Sequence, residues 1–218
     1  MFVGHIGVAL GAKGVAPKVP LPVLILAAQF LDVLWPIFLM AGIEHAQIEP
    51  GFTLVSPLNL YDYPYSHSLA AALLWAGAFG FAYRFLRDDS WGGWVLAALV
   101  LSHWPLDAIV HRPDLPIYPG GPERFGYAVW NSVGETLLLE GAIFIAGILI
   151  YWGTTQARDR TGLYSFWALM LLLGVVWLDS IFGPPPPTMT VVAVAGLAGA
   201  AIVFVWAGWI DRHRVVLE

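Results

Sequence analysis

His5, Asp32, His67, His103, Asp107 and Glu140 are the residues of this chain best equipped for chemistry, because each lies within or at the mouth of a long apolar stretch. An acid at the centre of a membrane helix costs roughly 2.5–3.5 kcal/mol on insertion scales, so it persists there where it has a partner or a task. Three imidazoles and two carboxylates suit a divalent cation of borderline hardness, zinc first, with manganese or iron next. Such an ion with an open coordination position brings the pKa of a water down to about 7 and makes hydroxide available at neutral pH. Glu140, or Glu135 five residues before it, then serves as general acid/base or orients a ligand. The set is large enough for one ion or for two.

Composition says what holds these residues. The 218 residues are 59% hydrophobic and only 11% charged, against about one-quarter charged in a soluble domain, which marks a polytopic membrane protein. A net charge of −5 offers no basic surface for nucleic acid. Zero cysteines exclude disulfides, thiolate sites and cysteine nucleophiles, so any metal takes nitrogen and oxygen ligands. The start of the chain lacks the charged opening and small-residue cleavage site of a secretory signal and is read as part of the mature protein.

A window of about 20 residues, the length that crosses roughly 30 Å of hydrocarbon, finds six spans. They lie near residues 21–43, 68–86, 91–110, 129–152, 163–182 and 190–210, with polar or Pro/Gly-rich joints between them. Residues 2–12 are too short to cross and fit a half-inserted or re-entrant helix. Eight of the ten basic residues fall on one side of this arrangement: Lys13, Lys18, Arg84, Arg87, Arg158, Arg160, Arg212 and Arg214. The positive-inside rule therefore puts both ends of the chain in the cytoplasm, with the protein in the cell (inner) membrane.

Depth then brings the chemistry together. If Lys13 and Lys18 mark the cytoplasmic surface, His5 lies roughly 12 Å and Asp32 roughly 16 Å into the bilayer, at 1.5 Å per helical residue. His103 and Asp107, four apart, share a helical face, and His111 continues that stripe outward. His67 opens the second span from the outer surface, where Ser66 can cap it, and the fourth span carries Glu140 inward. The expected pocket lies in the outer half of the membrane, roofed by loops 44–66 and 111–126. His45 and His111 read as solvated loop residues, His213 as part of the basic end, and Asp179 as an interfacial acid. Pro36 and Pro105 should kink the first and third spans. Trp91, Trp94, Trp130, Trp152, Trp206 and Trp209 sit where aromatic belts are expected and receive no cofactor role.

These residues resemble the membrane-bound metal-dependent hydrolases, a family of inner-membrane-associated proteins. The likeness is carried by Gly4-His5, Asp32, the segment Pro64-Tyr65-Ser66-His67-Ser68-Leu69, and Ser102-His103-Trp104-Pro105-Leu106-Asp107. It extends to His111-Arg112-Pro113-Asp114-Leu115-Pro116, Trp130-Asn131-Ser132 and Glu140, covering roughly residues 1–150. Some members are similar in motif style to zinc-dependent phospholipases, which implies phosphoester chemistry on a lipid. Here Asp32 is followed by Val33-Leu34-Trp35, where the family often carries a second acid, and this counts against a two-metal centre.

The sequence thus predicts an all-α polytopic membrane bundle of six transmembrane helices plus an N-terminal half-inserted helix, in a single domain. Its expected activity is metal-dependent hydrolysis of an ester or phosphoester in a lipid-like substrate, with membrane lipids as surroundings. The expected ligands are His5, Asp32, His67, His103 and Asp107, with Glu140 as acid/base. The alternative is a proton- or ion-coupled transporter using the same residues as a relay, which requires a polar path through both leaflets.

Overall fold

A computed structural model describes residues 1–217, and the chain is a bundle of helices with three small two-stranded sheets. The short apolar helix α1 (Val3–Ala12) lies inside the bundle, almost wholly buried, as its all-round apolar sequence requires. It runs along α7 (Val133–Thr154), and the two backbones come into direct contact at Gly7 and Gly147. A side chain on either glycine would strike the other helix's backbone, so this close approach needs the missing Cβ.

The first predicted span is not one helix. It is divided into α2 (Leu21–Ala28) and α3 (Phe30–Met40), which meet at 58° about Gln29. Pro36 sits within α3, so the bend falls seven residues earlier than the proline rule places it. As the last residue of α2, Ala28 has a carbonyl that a helix end leaves open, and His103 Nδ1 donates to it at 2.8 Å. A buried side-chain hydrogen bond thus replaces the lost helical one.

The remaining spans are close to their predicted limits. After α4 (Pro64–His67) come α5 (Leu69–Arg87) and α6 (Ser90–Val110), which pack as a pair, then α7, α8 (Arg160–Phe182) and α9 (Met189–Arg212). Ser68, Asp89, Ser132, Asp159 and Thr188 cap α5 to α9 with side-chain oxygens, each satisfying an open N–H of the first turn. Five helices are long and apolar enough to cross a membrane, six if the bent α2–α3 pair counts as one span. Leu74, Phe81, Phe85, Leu138, Leu171 and Val205 are exposed, an outer apolar surface that suits lipid rather than water.

The strand pairs lie at the two ends. At one end β1 (His45–Ile48) pairs with β2 (Leu58–Asp62), and β3 (Leu115–Pro116) with β4 (Arg124–Phe125). At the other, β5 (Thr155–Ala157) pairs with β6 (Arg214–Val216). There Lys13 Nζ donates to the Val19 carbonyl at 2.8 Å and reaches Asp211 Oδ1 at 3.3 Å. Arg214 donates to the Thr155 hydroxyl and carbonyl, both at 3.0 Å, and lies against the rings of Tyr151, Trp152 and Phe166. The basic residues Lys13, Arg158 and Arg214 therefore close one end of the bundle, and the chemistry lies toward the other.

Candidate metal centre

Asp107, on α6 and buried, is the hub of the site. His5 Nε2 lies 3.0 Å from its Oδ1, while the Nε2 atoms of His103, His111 and His67 lie 3.2, 3.7 and 3.8 Å from its Oδ2. Asp32 Oδ1 stands 3.5 Å from His67 Nε2 and 3.6 Å from His103 Nε2. His5 and His103 stack face to face, with ring centroids 3.7 Å apart. The Met1 amino group also contacts Asp107 Oδ1. Two overlapping groups, His5–His103–Asp107 and Asp32–His67–His103, each bring ligand atoms within 4.8 Å of one another.

The tautomers can be read from the far side of each ring. A carbonyl only accepts, so His103 Nδ1 carries the hydrogen it gives Ala28. Ser66 Oγ gives its single hydrogen to Glu44 Oε2 at 2.6 Å and therefore accepts from His67 Nδ1–H at 2.7 Å. Glu44, fully buried, is itself held by the amides of Tyr65 and Ser66 at 2.7 and 2.8 Å. His111 Nδ1 donates to Asp114 Oδ1 at 3.1 Å, and Tyr63 donates to the same oxygen at 2.7 Å. Burial, with the Asp114 charge beside it, holds the Tyr63 hydroxyl well above the usual phenol range, so it stays a donor.

In their neutral form these three imidazoles present Nε2 lone pairs to two carboxylates. Lone pairs facing anions repel, and His103 Nε2 is buried without a hydrogen-bond donor among the described residues. A cation between these groups resolves that conflict, and Nδ1–H bonds to backbone or carboxylate oxygens are the usual support for a metal-bound imidazole. The residues present therefore fit a divalent ion: a buried His/Asp cluster that can hold a metal is built here. A nitrogen- and oxygen-only set is compatible with zinc, manganese or iron.

All five predicted ligands are brought together, from α1, α3, α4 and α6. Glu140 lies beside them on α7, buried, with Oε2 accepting the Phe2 amide at 2.9 Å and Oε1 the Trp130 indole at 3.3 Å. Glu135 is exposed and does not line the cavity that Glu140 lines. Two expectations are corrected. His111 is buried rather than solvated, because Asp107, Asp114 and the Trp130 ring at 4.4 Å enclose it. Trp130 is no simple belt residue, since its N–H is spent on Glu140. The sequence reading also missed Glu44; its one signal was an acid just beyond an apolar span with no basic residue near it.

A cavity of about 700 Å³ opens over the cluster. Asp32, His67, Asp107, His111 and Glu140 are on its floor, and Asp32 is the most open of them, its side chain 39% exposed. Its walls are segment 50–58 and the turn 183–187, so the Pro184–Pro187 run is a wall rather than only a joint. Compared with protein-family models, curated proteins and solved structures, the chain has no match.

Proposed function

We propose that this protein is a membrane-embedded, metal-dependent hydrolase acting on an ester or phosphoester of a lipid-like substrate. The observation that carries the reading is the set of imidazole Nε2 atoms turned toward Asp32 and Asp107 while their Nδ1 hydrogens are taken by Ala28, Ser66 and Asp114. His5, Asp32, His67, His103 and Asp107 would hold the ion, with His111 against Asp107. When bound, a divalent ion supplies Lewis acidity and a nucleophilic hydroxide at neutral pH.

The protein's own groups do the rest. Glu140, on the cavity floor, is placed to accept or return a proton, and its bonds to Phe2 and Trp130 fix its direction. The apolar walls, among them Trp35, Leu54, Val176 and Val192, exclude water and receive a chain. The resemblance in residues 1–150 supports the same activity. A relay is less well supported: beyond His5, α1 continues as apolar residues to Lys13, and the His/Asp cluster lies toward one end of the bundle.

The test is turnover of a panel of lipid carboxylic esters and phosphodiesters by protein purified in detergent, with and without a chelator. Hydrolysis of at least one class, abolished by chelation and restored by zinc or manganese, is expected. Failure on every class, together with proton-driven uptake in proteoliposomes, would favour the transporter instead.

A further inference from the structure

The cavity over the cluster has a definite sign of charge. Its lining carries four carboxylates, Asp32, Asp107, Glu140 and Asp179, and among the described residues no lysine or arginine. The Met1 amino group, also on the wall, is taken by Asp107. Arg112, on the neighbouring loop, is not among the lining residues and rests on the Phe52 ring at 4.6 Å and the Phe52 carbonyl at 3.0 Å.

One divalent ion and the Met1 ammonium offset three of the four negative charges, so one remains, and Glu140 and Asp179 are the two acids outside the His/Asp cluster. Glu140 is engaged by the Phe2 amide and the Trp130 indole. Asp179 is exposed near the end of α8, and its carboxylate has no hydrogen bond or ion pair among the described residues. It shares the wall with Trp35 and Trp177, and indole faces attract ammonium groups. Leu54, Val176, Val191, Val192 and Ala195 supply an apolar track for a chain. A low-dielectric cleft with this balance of charge favours a cationic head over an anionic one.

We infer that the cavity takes an amphiphile whose polar head bears an ammonium group, held by Asp179 beside Trp35 and Trp177, with the scissile bond over the His/Asp floor. The choice of head rests on the walls, and only the identity of the cut bond rests on the hydrolase reading. An ammonium head and an otherwise similar anionic head, both on phosphodiesters, separate the two.

The probes are lysophosphatidylcholine and lysophosphatidylglycerol of equal chain length, titrated calorimetrically into protein in maltoside detergent, after chelation so that nothing turns over. The choline head should bind about tenfold tighter, a difference of about 1.4 kcal/mol. Asp179→Asn should remove most of that preference and Asp179→Glu should keep it. Equal or reversed affinities in the wild type, or an undiminished preference in Asp179→Asn, would overturn the inference. Hydrolysis of the same lipids by zinc-loaded protein is scored separately, so a preference without turnover removes the hydrolase reading and leaves this one standing.

Discussion

Replacing Ser66 by Ala separates the support of the site from its ligands. Ser66 is buried and touches no other candidate ligand than His67, to which it offers an acceptor at 2.7 Å while donating to Glu44 at 2.6 Å. The substitution leaves His67 Nδ1–H without its partner and frees the ring to turn or change tautomer. Glu44 keeps its two amide donors at 2.7 and 2.8 Å, so the fold around α4 should survive. Loss of such outer support typically weakens metal binding about 10- to 100-fold, or about 1.4–2.7 kcal/mol. The lost buried hydrogen bond to a charged group should also lower unfolding stability by about 1.5–3 kcal/mol. Competition with a chromophoric chelator measures the first, and thermal unfolding of chelated protein the second. Wild-type zinc affinity in Ser66→Ala, alongside lost affinity in His67→Ala, would refute the tautomer argument.

Three further outcomes follow from the packing. Gly147→Leu drives a side chain into the α1 backbone at Gly7 and should destabilise the fold by about 1–3 kcal/mol while lowering zinc content, because α1 carries His5; unchanged melting and metal would contradict the close approach. Glu140→Ala strands the Phe2 amide and Trp130 indole, each an unmet donor costing about 1–3 kcal/mol, and should suppress turnover while zinc stoichiometry holds; loss of zinc would make Glu140 a ligand instead. Arg214→Lys gives up the planar fork on Thr155 and Gly162 and its packing among three rings, so unfolding stability should fall by about 1–3 kcal/mol with zinc affinity unaltered, as measured by melting and chelator competition.

Much of this was legible in the sequence because a membrane span announces itself by length and apolarity, and ionisable residues within one stand out. The spacing of His103 and Asp107, the depth of His5 and Asp32, and the outer position of His67 were enough to gather them before any coordinates. What stayed hidden depends on contacts across the chain. Nothing local marks Gln29 as a break, because the open Ala28 carbonyl beside it is satisfied by His103, 75 residues further along the chain. His111 looked solvated because it ends α6, yet it completes the 103, 107, 111 stripe, and Asp114 three residues on was the signal that it is held. Glu44 could be placed only once its loop folded back onto α4. The Pro184–Pro187 wall likewise belongs to the cavity only through the packing of α8 and α9 against segment 50–58.

The most direct test of the site is metal content combined with X-ray absorption at the metal edge on purified protein supplied with zinc. At least one equivalent should be retained, in an all nitrogen and oxygen shell showing the multiple-scattering pattern of imidazole, and lost in His103→Ala. Protein that retains no divalent ion, or that keeps full stoichiometry and the same imidazole signal in His103→Ala, would contradict the account.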